Sequence, residues 1–368
     1  MIPISKPATG KEELELLKKV LASAWLGQGS YVLEFESLIG EFLNGREIVA
    51  VNSGTAALHL ALEAVGIQKE DEVIVPSMTF CATVQAITAL GAKPVFCDVV
   101  PSDLNMDIDK IEELISDSTR AIIPVHFLGN PCNLEEILKI GSDNNLTIIE
   151  DAAHAFGSSY RGKKIGSFGD ITCFSFDPIK NITCGEGGAV SLSNSELATI
   201  IRRKRNLGID RDTWYRQSKN LDWYYEVSSQ GYRYHMSNVN AAIGIAQFRK
   251  MEEFYAKKMV LLNRYNEAFQ SIDGICVLDW DTDSVFPFAY VMRVLNNRRN
   301  DLMNYLKLNG IDSGINYIPN HLQPFFNNDI SLPVTEKLFE EIITIPFFVD
   351  MTERDQDIVI EKIQTFFR

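Results

Sequence analysis

The sequence predicts an α/β protein: a large domain with a mixed, mostly parallel sheet flanked by helices, and a smaller C-terminal α+β domain. Three observations carry this. From residue 46 onward, short β-rich runs alternate with helical patterns, as parallel strands joined by right-handed crossovers require. Two further strand candidates, DITCFSF and GGAVSLS, follow one another without a full helix between them, which makes the sheet mixed. Beyond a long helical stretch the pattern changes to a short mixture of strands and helices.

Taken in order, EIVAVN leads into a helix from Thr55, and DEVIVP into one from about Thr79. KPVFCDV is followed by a helix near Ile108, TRAIIPVHF by one near Leu134, and LTIIEDAA closes the series. Glu196 to Asn206 and Ser237 to about Phe269 read as helices, the second with Val239, Ala242, Ile243, Ala246 and Met251 along one apolar face. After it, GICVLDW, FPFAYVMRVL, the helix NRRNDLMNYLKLNG and a final helix to Arg368 form the smaller unit. The expected division is 1–250 and 251–368, with the boundary inside a helix.

Composition narrows the function. The 368 residues suffice for a large core, and 46% hydrophobic with 23% charged residues is ordinary for a globular chain. A formal net charge of −14 argues against nucleic acid or an anionic membrane surface as partner. The first residues show no basic-then-apolar leader and no run is long enough to span a bilayer, so a cytoplasmic location is expected. Six cysteines lie scattered without metal-type spacing, and the aspartates of CDVVPSDLNMDID lack the glycine and terminal glutamate of a calcium loop; no metal is expected.

Three signals fall at the ends of strand-like runs, where open α/β sheets place ligands. In NSGTAAL, a strand end turns through Ser53, Gly54 and Thr55 into an alanine-rich helix. Such a turn offers free N–H groups and the positive helix end to a phosphate, or it is an ordinary cap by Ser53 or Thr55. In IIEDAAHAFGS, Asp151 ends an apolar strand before two alanines: it either meets a positive partner or merely caps the next helix. His154 contacts a ring or is a satisfied core histidine. In FSFDPIKNITCGEGGAV, Lys180 sits two residues past a proline and just ahead of three glycines, a scaffold suited to a lysine that forms a Schiff base with an aldehyde. Phosphate cradle, strand-end acid and scaffolded lysine together match the needs of pyridoxal 5′-phosphate.

With SGTAALHLAL, VPSMTFCAT, EDAAHAFGSSYRGKKIGSFGD, FSFDPIKNITCGEGGAV and HMSNVNAAIG in this order, the chain resembles the sugar aminotransferases of the DegT/StrS group over nearly its whole length. The resemblance implies the fold type I architecture of pyridoxal-phosphate enzymes and a homodimer whose active sites lie at the subunit interface. It implies transfer of an amino group from L-glutamate, by way of pyridoxamine 5′-phosphate, to a ketone at C-4 or C-3 of a nucleotide-linked deoxyhexose for a surface polysaccharide or glycan such as lipopolysaccharide O-antigen. A dTDP-linked sugar is favoured, with UDP and GDP as alternatives.

Carried across by motif, Lys180 matches the Schiff-base lysine and Asp151 the acid at the pyridine nitrogen. Gly54, Thr55 and Ser175 match phosphate-binding positions, Phe80 the aromatic that stacks on the cofactor ring, and His154 a position near the ring hydroxyl or face. In GYRYHMS, Arg233 stands where many relatives place an asparagine that reaches the partner subunit's phosphate, and Asp177 stands where relatives carry an aromatic or histidine. INYIPNHLQPFF resembles the substrate-side segment, which makes Tyr317, His321 and Gln323 sugar-side candidates, and WLGQGSYV resembles an entrance segment that includes Trp25. Two rival readings use the same scaffold: a pyridoxamine-dependent sugar dehydratase, which typically lacks the lysine, and a non-catalytic cofactor-binding regulator.

Overall fold

A computed structural model describes residues 1–210, 213–219, 223–278, 280–326 and 329–368. Twelve strands are described: β1 Glu47–Val51, β2 Glu72–Pro76, β3 Lys93–Cys97, β4 Thr119–Ile122, β5 Thr147–Asp151, β6 Ser159–Tyr160, β7 Lys163–Lys164, β8 Ile171–Ser175, β9 Gly188–Leu192, β10 Ile275–Val277, β11 Tyr290–Val294 and β12 Ile342–Ile345. The main sheet has the order β1-β9-β8-β5-β4-β2-β3. Its neighbours pair in parallel from β3 to β8, whereas β9 runs antiparallel to both β8 and β1. The reversal follows from the short connection between β8 and β9, which holds no helix to carry the chain back across the sheet.

Burial explains why the strands read as continuous apolar runs. Val49, Val73, Val75, Ala121, Ile149, Ile171 and Val190 pack under the helices Gly54–Ala64 and Ser195–Lys204 on one face. Ala50, Phe174 and Ala189 meet the helix Ser30–Phe42 on the other. The long helix expected from Ser237 to Phe269 is two helices, Asn238–Arg249 and Met251–Phe269, broken at Lys250, where φ is −101° and ψ is 0°. The ammonium of Lys250 bonds Glu13 at 2.5 Å, which fastens the break to the N-terminal helix Lys11–Ser23. The helix near Ile108 is a single turn, Ile108–Ile111, continued by a 3-10 turn.

The second sheet, β10-β11-β12, is antiparallel and covered by the helices Met251–Phe269, Arg299–Leu308 and Glu353–Phe367. Contacts that tie it to the first include a buried cluster and hydrogen bonds such as that from the Phe288 amide to Leu128 O. Met78, Val99, Phe127 and Leu128 share one buried cluster with Leu278, Phe288, Val291, Leu338 and Ile342. Ile2, at the very start of the chain, bridges to Ile311. The aspartate-rich segment serves capping: Asp98 accepts from the Val334 and Thr335 amides, and Asp107 caps the turn at Ile108. Among the described residues no group of three His, Cys, Asp or Glu is placed to hold a metal ion, and no helix is long and apolar enough to cross a membrane.

A buried ion pair braces the start of the main sheet. Glu36 Oε1 accepts from Arg205 Nη1 at 2.5 Å and from the Ala50 amide at 2.8 Å, while Arg205 also donates to Ala50 O at 2.6 Å. Both side chains are almost wholly buried. Arg205→Met leaves the Glu36 carboxylate without its cation and should cost about 3 kcal/mol or more in denaturant unfolding. The double variant Arg205→Met/Glu36→Leu should recover much of that loss.

Candidate active site

The register of the main sheet brings three chain segments to one level. Val51 at the end of β1 faces Gly188, and Gly188 faces Ser175 at the end of β8. Gly188 has no room for a side chain, because a Cβ there would lie 2.4 Å from the Ser53 carbonyl oxygen. Gly54 is equally confined, its missing Cβ directed 2.8 Å from that of Ser175. The Ser53–Thr55 turn therefore lies directly on β8 and β9, with Ser175 beside it.

These residues and the end of β5 line a cavity of about 260 Å3 whose wall includes Ser53, Gly54, Thr55, Phe80, Asp151, His154, Ser175, Lys180 and Tyr317. The Ser53 hydroxyl caps the helix Gly54–Ala64 by accepting from the Ala56 amide at 3.1 Å. The capping role anticipated for it is thus present, and it leaves the Gly54 and Thr55 amides at the positive helix end, where an anion is favoured. Phe80, at the start of the helix Cys81–Thr88, keeps half its surface exposed beside the cavity and stands 5.5 Å from the Tyr317 ring.

Asp151 is 4% exposed and receives the Thr83 hydroxyl at 2.7 Å and the Ala153 amide at 3.0 Å. Both donors are neutral. Burial raises its pKa above the ordinary aspartate value against the pull of those bonds and of Lys180 and His126. Lys180 shows the converse effect: burial lowers its pKa to about 8 against the attraction of Asp177 and Asp151. Its amine lies 4.5 Å from the centre of the Phe288 ring. Asp177 also turns the chain, accepting from the Ile179 amide through its carboxylate and from the Lys180 amide through its carbonyl.

The protonation of His154 is fixed by its neighbours. Nδ1 accepts from the Leu128 amide at 3.3 Å, so Nε2 carries the hydrogen and donates to the Tyr317 hydroxyl at 3.0 Å. Burial holds the ring well below the usual histidine pKa, with Lys180 acting in the same direction. Phe288 stacks on it at 4.1 Å and 5°. His154 is thus a neutral, fully engaged histidine that also forms part of the cavity wall.

Other candidates lie elsewhere. Trp25 and Arg233 line a second cavity, of about 390 Å3, with Trp214 and His235. His321 is 2% exposed; its Nδ1 receives the Ser77 hydroxyl at 2.7 Å and its Nε2 faces Glu336 at 3.4 Å. With Asn320, whose side-chain amide bonds the carbonyls of Ser77 and Thr79, it fastens the chain after β2. Neither His321 nor Gln323 is part of the first cavity wall. Sequence reasoning passed over Thr83, although TFCAT places it three residues after Phe80 on the helix that borders the cavity. It also passed over Glu186 and Asn316, which join the same wall from GEGG and INYIP.

The residues fit pyridoxal 5′-phosphate. A helix N-terminus with a neighbouring hydroxyl suits the phosphate, a buried carboxylate bonded only by neutral donors suits a protonated pyridine nitrogen, and a lysine of lowered pKa suits an aldehyde.

Comparisons with known proteins agree. Residues 7–364 match the model of the DegT/DnrJ/EryC1/StrS aminotransferase family. The spore coat polysaccharide biosynthesis protein SpsC of Bacillus subtilis is 36% identical over 99% of this chain and 96% of its own. The structure of an aminotransferase, TlmJ from Streptoalloteichus hindustanus, superposes with a TM-score of 0.93 at 30% identity, covering 99% of this chain and 98% of that one. The putative sugar aminotransferase Spr1654 from Streptococcus pneumoniae, in its PMP-form, gives a TM-score of 0.93 at 28% identity over 99% of this chain and 98% of that one, and a PLP-form of the same protein is also similar. The fold is that of fold type I enzymes. The chain belongs to the DegT/DnrJ/EryC1/StrS aminotransferase family and is a pyridoxal-phosphate-dependent sugar aminotransferase.

Proposed function

We propose that this enzyme moves the amino group of L-glutamate to the C-4 or C-3 ketone of a nucleotide-linked keto-deoxyhexose, dTDP-linked in preference to UDP- or GDP-linked, for a surface polysaccharide or glycan. The observation that carries the reading is the convergence of Lys180, Asp151 and the Ser53–Thr55 helix end on one cavity. When bound, pyridoxal 5′-phosphate supplies an aldehyde that links to amines and a ring that withdraws electrons from the bond being broken.

The chain's own residues do the rest. The amides of Gly54 and Thr55, with the Ser175 hydroxyl, bind the phosphate. Asp151, oriented by Thr83 and Ala153, holds a proton on the pyridine nitrogen. Phe80 covers one face of the ring. With the cofactor bound, the Lys180 amine would serve as the base and then the acid for the proton of the amino donor, a task for which a pKa of about 8 is well matched near neutral pH. Tyr317, bonded by His154, presents a polar group toward the sugar side; Trp25, on the cavity it shares with Arg233, and Gln323 are further sugar-side candidates, and His321 acts from behind them by fastening the chain after β2. Residues 1–250 form the cofactor domain and 251–368 the smaller one. The working unit is a homodimer in which Arg233, on the second cavity, faces the cofactor phosphate of the partner.

Incubation of the holoenzyme with glutamate alone should release no more than one 2-oxoglutarate per active site, and release beyond that, equimolar with the sugar aminated, should require an acceptor from a panel of nucleotide-linked keto sugars. Lys180→Ala should lose the visible absorbance of the lysine-linked cofactor and at least about a thousandfold in turnover. Near-normal turnover in that variant would sink the assignment.

Attachment of the cofactor to the cofactor-free chain needs the neutral Lys180 amine. Its rate should rise about tenfold per pH unit below a pKa of about 8 and level off above it. Because Asp177 favours the charged form, Asp177→Asn should move the bend to lower pH; stopped-flow absorbance reads both.

Arg233→Ala should weaken cofactor retention by about 2 kcal/mol, the worth of a charge-assisted bond to a dianion. Mixing Lys180→Ala with Arg233→Ala subunits should create dimers with one doubly defective and one intact site. Recovery of activity above either parent is expected, and no recovery despite proven subunit exchange would return Arg233 to its own subunit.

A further inference from the structure

Lys258 stands apart from the site already described. It lies on the helix Met251–Phe269, is 3% exposed, and is walled by the rings of Phe286 and Phe347 at 5.8 and 5.4 Å. Its ammonium has three N–H groups and three acceptors: Asn181 Oδ1 at 3.0 Å and the carbonyls of Pro287 and Phe288, each at 3.1 Å. All three acceptors are neutral. An ammonium desolvated in this way costs free energy that a methionine of similar length, packed between the same rings, would not. What the charge gains is therefore to be sought in what its three bonds hold.

They hold two segments that touch the reacting groups. Asn181 directly follows Lys180, and its amide donates to Phe286 O at 3.1 Å, so Asn181 and Lys258 together bind the consecutive carbonyls of Phe286, Pro287 and Phe288. The Phe288 ring lies 4.5 Å from the Lys180 amine on one side and is stacked on His154 on the other. The Phe288 amide donates to Leu128 O at 3.0 Å, and the Leu128 amide donates to His154. One strap, residues 286–288, thus sets the surroundings of both Lys180 and His154, and Lys258 is its anchor from the C-terminal unit.

We infer that Lys258 is a positioning residue for amino transfer: by clamping Asn181 and the 286–288 strap it fixes the attitude and desolvation of the Lys180 amine and the plane of His154. The inference rests on Lys180 being the reacting amine. Burial lowers the pKa of Lys258 to about 7, while its three acceptors draw the charged form, the only form with a hydrogen for each.

The test compares wild type, Lys258→Met and Asn181→Ala. In the full chain freed of cofactor, the pH dependence of Lys180 acylation, read by peptide mass mapping, reports its pKa directly. Loosening the strap admits water, so the midpoint should rise by about half a unit or more in both variants. In the holoenzyme, kcat for the half-reaction with the amino donor should fall about tenfold while the donor KM changes less than about twofold, as misplacement of a catalytic amine requires. A lowered denaturation midpoint with Lys180 titration and kcat unchanged would make Lys258 a packing residue and overturn the proposal. If Lys258→Met does not fold, Asn181→Ala leaves the two carbonyl bonds of Lys258 in place and carries the same readouts, with unchanged values again overturning it. Failure of the Lys180 assignment is distinguishable, since it appears as turnover surviving in Lys180→Ala, whereas acylation of Lys180 in the cofactor-free chain is read without any cofactor linkage.

Discussion

Close approach of the backbone at Gly188 to the carbonyl of Ser53 sets the level at which the rest of the site is built. A side chain on β9 at this point would push the turn after β1 away from β8. The helix end, Ser175 and the strand end at Asp151 would then no longer open into one space. The reversed strand β9 is what makes the approach possible, since it lies between two strands of the opposite direction and presents its first residue where they present their last. The site is thus a property of sheet register before it is a property of any side chain.

Within that frame, burial acts in opposite senses on the two ionisable groups that matter. It raises the pKa of Asp151 and lowers that of Lys180, driving both toward neutrality. A ligand with a protonated ring nitrogen at one end and an electrophilic carbon at the other relieves both costs at once. The specificity for such a ligand comes from the desolvation of the groups as much as from their identity.

Much of this was legible in the sequence because it rests on local patterns. Strand followed by turn followed by helix is written in EIVAVNSGTAAL, and a strand end is written in TIIEDAA, so spacing and chemistry single out Ser53, Gly54, Thr55, Asp151 and Lys180 as candidates, and the fold brings these to one cavity. What escaped depends on tertiary placement. The break at Lys250 interrupts no periodicity, and the ion pair that fastens it reaches Glu13, over two hundred residues away. Thr83 is an ordinary helical threonine until β5 is laid beside it. His321 in IPNHLQP reads as a ligand, yet the chain folds it inward onto Ser77 and Glu336. Trp25 and Arg233 were read separately, and only the fold brings them to a common cavity.

The buried cluster that joins Met78, Phe127 and Leu128 to Leu278, Phe288 and Ile342 has a consequence for how the molecule comes apart. Two sheets that share a core cannot part without each exposing an apolar face to water, so the seam couples the stability of one to that of the other.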